Sequence, residues 1–419
     1  MASIKISVDR IQPGLHVKIP LKWNEHPFLF NVFKIKSDQQ VQVIRQLGVK
    51  YVYVTPELSD ALPLSVQQAL APVVNDGAAQ SESDLLWQEK QQRIEELSAY
   101  RRKVSRCEKE FDRSLARIRN LMTKLRSRPE QAAKEAQQLV DDIVDSLLSQ
   151  DDVTLHLMGS KTEFEDIYFH CLNVSILAMM IAKAKAKGLE AAEIKMVAMA
   201  ALFHDIGKAK IPAAILRKAT PLTEPENNYL KLHTKYGGNI ARAIEILPQQ
   251  VITVIEQHHE LLDGSGYPNG LSGDQIDVIT QIVSVANAFD NLCHHQNPAE
   301  KKIPYTALSY LYKHAKAKYN NENLNILIKY MGVYPPGTIV KLSNEMVGLV
   351  VSINSASLLS PNVLLYDPSV PKLQAPIMAL EGKDLKVESV IHPERLPEEI
   401  REYLNPRARI SYYFDDDAN

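Results

Sequence analysis

The hydrophobic and polar positions change period along the chain, and each change predicts an element. Ile4–Val8 alternates, the period of a half-buried strand, and Leu15–Ile19 alternates again beyond the Pro13-Gly14 turn. Ser37 then precedes Val41, Ile44 and Leu47 at helical spacing, and Val49–Val54 reads as another strand. Residues 1–56 are therefore predicted as a small α+β domain, in which Trp23 and Pro27-Phe28-Leu29-Phe30 fill a core or, as the weaker alternative, form a binding patch. Residues 57–84, rich in Pro, Ala, Ser, Gln and Asp, predict a linker. Residues 85–150 predict a helical connector. Its first helix, about 84–126, is dense in charge, with Leu and Ile every three or four residues, and is expected to pair with a second copy as a homodimer. The basic run Arg113–Arg128 reads as a solvated face. Pro129 opens a second helix with Leu139, Ile143 and Leu147 on one face. Residues 151–330 are helical in pattern almost throughout. After the breaker Pro335-Pro336-Gly337, β-branched runs at 338–342, 347–353 and 362–366 predict a small β-rich domain over 331–395. Residues 396–419 complete a closing helix from Pro393 and end in an acidic, frayed tail. The predicted class is mainly α, an all-helical domain between a small α+β N-terminal domain and a β-rich C-terminal extension.

Composition narrows the partners. A net charge of −2 in 419 residues argues against a general DNA binder. Cys107, Cys171 and Cys293 lie far apart, so neither a disulfide framework nor a CxxC metal site is expected, and a reducing compartment fits. No apolar run is read as reaching the roughly 18 residues a bilayer span needs. The N-terminus lacks a signal-peptide core, and the expectation is a cytoplasmic protein without a membrane partner.

The polar residues inside the helical stretch change the picture. Leu202-Phe203-His204-Asp205-Ile206-Gly207-Lys208 follows an apolar run, Met196–Phe203, that predicts a buried helix. A carboxylate buried beside an imidazole is costly unless compensated, and a metal ion compensates both. Lys208 lies four residues from His204, read as the same helical face, and suits an anionic substrate such as a phosphate. Glu163, Asp166 and His170 share one face of a preceding helix, and His233, the pair His258-His259, Asn287 and Asp290 follow on later ones. One buried histidine is usually a core residue; five of twelve between 170 and 259 are hard to explain that way. Two ions roughly 3.5–4 Å apart clamp a phosphoryl group, so phosphate-ester hydrolysis is the implied chemistry.

His204-Asp205-Ile-Gly-Lys208, His233, His258-His259 and Asp263-Gly-Ser-Gly266-Tyr267-Pro268 together resemble the HD-GYP domain, a subgroup of the HD phosphohydrolase superfamily, over about 151–330. The N-terminal region resembles the small domain that often precedes it. The resemblance implies an all-helical hydrolase with two or three divalent ions, iron or manganese. Its expected reaction is hydrolysis of cyclic di-GMP, or of cyclic GMP-AMP, to a linear dinucleotide or mononucleotide, by attack of a metal-bridging hydroxide. By position it assigns His170, His204, Asp205, His233, His258 and His259 as ligands, with Asp205 bridging. It places Asp166 where trinuclear members carry a glutamate and gives Lys208 to the substrate phosphate. The loop of Asp263, Gly266, Tyr267 and Pro268 is expected to shape the substrate pocket or to contact a diguanylate cyclase; an ordinary turn is the plainer reading. Two departures stand out. Asn287 replaces the family's metal-binding aspartate, keeping a carbonyl donor but losing a charge. The segment 294–302 differs from the usual basic run, leaving Lys301 or Lys302 to meet a phosphate. The alternatives are a catalytically weak cyclic-dinucleotide receptor, favoured by Asn287, and a mononucleotide hydrolase, disfavoured by the GYP loop.

Overall fold

The structure is a computed structural model and describes residues 3–69, 78–149, 155–158, 167–185, 189–218, 220–295, 297, 300–354, 357–382, 385–404 and 411–414. Glu163 and Asp166 lie outside the described residues. The chain divides into two compact units, Met1–Arg101 with Leu364–Met378, and Arg102–Val363 with Ala379–Asn419.

In the first unit β1 (Ile4–Ser7), β2 (His16–Lys18), β3 (Val32–Lys34) and β4 (Tyr51–Val54) form an antiparallel sheet in the order β1-β4-β2-β3. Helix α1 (Asp38–Gln46) begins where the Ser37 hydroxyl accepts from the Gln40 amide, as its sequence predicts. Its Val41 and Ile44 join Ile6, Leu15, Val17, Ile35, Val52 and Val54 in one core. Trp23, Phe28 and Phe30 are buried, so the aromatic segment is core. The expected linker is partly ordered, with a 3-10 turn at Pro56–Leu58, a short α2 (Val66–Ala69), and the start of α3 (Ala78–Lys124). On α3, Lys90 is buried; its ammonium donates to the carbonyls of Trp23 and His26 and lies 3.9 Å from the Trp23 ring centroid. This tether extends the helix into the segment that composition reads as linker.

The second unit is the helical one. Val104, Cys107, Phe111, Leu115, Ile118 and Leu121 of α3 are buried at spacings of three and four, with Phe111 edge-on to Phe169 at 5.3 Å. The stripe that motivates a homodimer is thus already covered within the chain. Then come α4 (Pro129–Leu148), α5 (Ile167–Ala184), α6 (Ala191–Phe203), α7 (Ala213–Leu216), α8 (Glu224–Lys231), α9 (His233–Arg242) and α10 (Gln249–Gln257). Helices α11 (Val278–Cys293), α12 (Pro304–His314) and α13 (Asn321–Met331) complete the bundle. Helix α5 is apolar on every side because α6, α11 and α13 surround it. It is long and apolar enough to cross a membrane, contrary to the sequence reading, yet 78% of it is buried in this fold, as a core helix is.

Beyond α13, β6 (Ile339–Leu342) pairs antiparallel with β7 (Val347–Ser352) and, on its other side, with β10 (Val387–Ile391). Strands β8 (Asn362–Leu365) and β9 (Ile377–Ala379) lie between these in sequence, and α14 (Glu398–Leu404) follows a 3-10 turn at Pro393–Arg395. Strand β11 (Ser411–Phe414) pairs antiparallel with β5 (Leu155–Met158). The expected frayed tail is therefore a strand over its first part. Its Tyr412-Tyr413-Phe414 run has the aromatic composition of a strand, which the following acidic residues hid.

Candidate metal centre

Four imidazoles are aimed by the same device. His204, His233 and His258 each stand at or beside a helix end and turn Nδ1 onto the carbonyl three residues earlier: Ala201 at 2.6 Å, Leu230 at 2.7 Å and Ile255 at 3.0 Å. His170, inside α5, turns Nδ1 onto Asp290 Oδ2 at 2.6 Å. With Nδ1 donating, each Nε2 presents a lone pair. Those lone pairs converge: His170 and His204 Nε2 are 3.1 Å apart, and His233 and His258 Nε2 are 3.3 Å apart.

Asp205 joins the two pairs. Its Oδ2 lies 3.4 Å from the Nε2 of both His170 and His204, and its Oδ1 lies 3.3 Å from His233 and 3.8 Å from His258. The carboxylate is wholly buried, and its Oδ1 has no hydrogen-bond donor among the described residues. Lys208 Nζ sits 2.6 Å from Oδ2 as an ion pair. Facing lone pairs around a buried carboxylate repel unless cations lie between them, so the donor set fits divalent ions. Two triads with donors within 4.8 Å of one another result, His170–His204–Asp205 and His233–His258–His259.

Electrostatics keep the second triad receptive. Burial, with the neighbouring imidazoles, holds His258 and His259 well below the ordinary histidine range, and burial holds His233 at about 4. Burial also opposes protonation of His170, but Asp205 and Asp290 override it and carry it up to about 9, so a cation at its Nε2 would have to displace a proton to use that lone pair. Burial works against ionisation of Asp205, yet Lys208 and His204 keep its carboxyl well below the usual range.

The backbone explains the motif. Helix α6 ends at Phe203, His204 caps it, and Ile206–Lys210 is a 3-10 turn. Lys208 therefore reaches Asp205 at i+3, not the expected face of His204. A Cβ on Gly207 would overlap the His233 carbonyl, so glycine at this position lets α9 approach and brings His233 to Asp205. His258 and His259 likewise lie just past the end of α10, with ring centroids 4.2 Å apart.

The GYP loop closes over the second triad. Tyr267 stacks on His259 at 4.6 Å, and a Cβ on Gly266 would overlap the backbone of His259–Leu261. Asp263 and Pro268 do not line the cleft; Asp263 accepts from the Ser265 amide and hydroxyl at 3.0 and 2.6 Å and shapes the loop. Lys301 and Lys302 do line the cleft, with Lys208, Lys210 and Arg217. Asn287 is buried on α11 beside His258 and His259, and its carbonyl accepts from the Asn291 amide at 2.7 Å.

Sequence reasoning missed the supports. Asp290, which holds His170, also accepts from Asn173 at 2.5 Å and faces His294 at 3.1 Å. The signal was present: Asp290 and His294 are four apart at the end of an apolar helix. Buried Glu260 accepts from the amides of Asn269 and Leu271 at 2.6 and 2.9 Å and fixes the GYP loop.

A carboxylate-bridged imidazole cluster on a helical scaffold, open to a cationic cleft, defines the HD class of metal-dependent hydrolase domains. Residues 121–322 match the HD domain, and residues 3–136 match a domain of unknown function, DUF3391. The chain is 27% identical to a cyclic di-GMP phosphodiesterase of Pseudomonas aeruginosa, over 89% of this chain and 87% of that one. It is 40% identical to a cyclic di-GMP phosphodiesterase response regulator of Xanthomonas campestris, over 31% of this chain and 34% of the relative. It is also 40% identical to a 3'3'-cGAMP-specific phosphodiesterase of Vibrio cholerae, over 25% of this chain and 20% of the relative.

Proposed function

We propose that the chain is a metal-dependent phosphodiesterase that hydrolyses a cyclic dinucleotide, cyclic di-GMP or cyclic GMP-AMP, to a linear dinucleotide or mononucleotide. The observation that carries this reading is the convergence of four imidazole lone pairs on both oxygens of Asp205. His170, His204 and Asp205 would hold one divalent ion, and His233, His258 and His259, with Asp205, another. Bound ions supply Lewis acidity toward a phosphoryl oxygen and acidify a water molecule. The protein's part is positioning. The Nδ1 contacts fix each ring, which limits reorganisation during the reaction. Tyr267 covers His259 and restricts water there. Lys208, 22% exposed at the cleft, offers its ammonium to the substrate phosphate.

Iron or manganese is the proposed metal, because imidazole and carboxylate donors suit both. Asn287 is proposed to approach the second triad with its carbonyl oxygen, and Lys301 or Lys302 to meet the second phosphate. Pro268, Asn269 and Gly270 stay exposed at the loop tip, where contact with a diguanylate cyclase is proposed. The test is the purified chain loaded with iron or manganese, offered cyclic di-GMP and cyclic GMP-AMP, with products separated. Lys208→Ala is expected to raise KM and lower kcat with metal content unchanged; metal loss without a kinetic effect would assign Lys208 a structural role. A second reading, a binding-only receptor, is favoured by the missing carboxylate at Asn287. Tight binding of the dinucleotide by metal-replete protein without turnover would select it.

A further inference from the structure

A second cavity, of about 270 Å³, adjoins the cleft that Tyr267 lines. His259, Asn291 and His295 wall both spaces, so this cavity adjoins the cleft at the histidine cluster. At that volume it is too small for a drug-sized ligand and of the size of a single flat ring system. Its contents are those of a base site. Tyr310 and His314 stand one turn apart on α12 with ring centroids 5.4 Å apart. Tyr310 is 44% exposed, with the Lys302 ammonium 5.4 Å from its ring centroid, so a stacking base would meet both the ring and that cation. Leu261, Leu311 and Ala315 supply an apolar floor. The amide of Asn291, oriented by its bond to Asn287 at 2.7 Å, supplies donor and acceptor groups for a base edge. None of these side chains belongs to the imidazole–carboxylate cluster.

We propose that this cavity is a purine-base subsite, which takes the base of the nucleotide whose phosphate lies at the metal centre. Tyr310 and His314 stack on the base, and Asn291 reads its edge. Through Asn287 the edge-reading amide is tied to the helix that packs against the metal histidines. The inference deepens the cyclic-dinucleotide reading and rests on it for the choice of a nucleotide.

The test is calorimetric titration of the metal-loaded full chain with 5′-GMP and with ribose 5-phosphate, which carries the phosphate without the base. Tyr310→Ala and His314→Ala alter exposed positions on α12. Each is expected to weaken 5′-GMP about tenfold, the effect of losing one stacking partner, and to leave ribose 5-phosphate unchanged. Asn291→Ala is expected to reduce any preference between 5′-GMP and 5′-AMP. Equal weakening of both ligands, no change in either, or no measurable difference between them in the unaltered protein overturns the subsite. Absence of cyclic-dinucleotide hydrolysis with the base-dependent difference intact overturns the phosphodiesterase reading instead.

Discussion

Asp205 holds two tasks in one side chain, since each oxygen faces a different imidazole pair. Asp205→Asn is therefore expected to remove both ions together and to abolish turnover while the fold persists; metal analysis alongside circular dichroism checks this. Asp290 acts one step away, holding His170 by its Nδ1. Asp290→Ala should lower metal affinity about 10- to 100-fold, read by competition with a chelator. At Asn287 the expected gain runs the other way. Asn287→Asp adds an anionic donor beside His258 and His259 and should slow metal loss to a chelator. Unchanged loss would place residue 287 outside the metal's reach. A residue outside the cluster also contributes to acid stability. Burial and the Lys90 ammonium hold His26 down at about 4. Between that value and the ordinary 6.5 the unfolded chain binds a proton that the folded one does not, so stability falls as pH drops through this window. Thermal melts from pH 7 to 4 should show a smaller decline for His26→Phe than for the unaltered chain.

At the scale of elements, the helices of the catalytic unit were legible because their apolar positions repeat with helical period, and α5 and α6 because they are apolar on all sides. Their ends were less legible. The chemistry sits where helices stop, at His204, His233 and His258, and no residue in those stretches is a strong breaker. The histidines and Asp205 that cluster could be singled out from residue type and spacing; their supports could not, because Asp290 and Glu260 act through contacts distant in sequence or with backbone amides. Two glycines mark where elements nearly touch. Gly207→Ala should drive α9 from the 3-10 turn and reduce metal binding and stability together, by the 1–3 kcal/mol typical of overpacking, about that range or more. Gly266→Ala should instead displace the loop carrying Tyr267, with turnover lowered and metal content kept. Parallel melts and metal assays of the two variants separate the effects.

At the scale of the whole molecule, a small N-terminal domain, a helical domain and a β-rich C-terminal extension were expected; the chain groups instead into two units, the first running to Arg101 and taking in Leu364–Met378. The pairing of β5 with β11 was not expected. Long-range strand pairing leaves no trace in local periodicity. The homodimer expected of the long helix loses much of its motive, since residues 104–121 of that stripe are covered by the chain itself; light scattering at micromolar concentration reads the mass directly. The β5–β11 pair sets a different expectation. Strand β5 enters the sequence shortly before the helix of His170, and its partner follows roughly 250 residues later. Without residues 411–414, the strand ahead of the helix of His170 has no partner strand of this pair. A purified chain truncated after residue 404 should be cut by protease near residue 155 faster than the 419-residue chain.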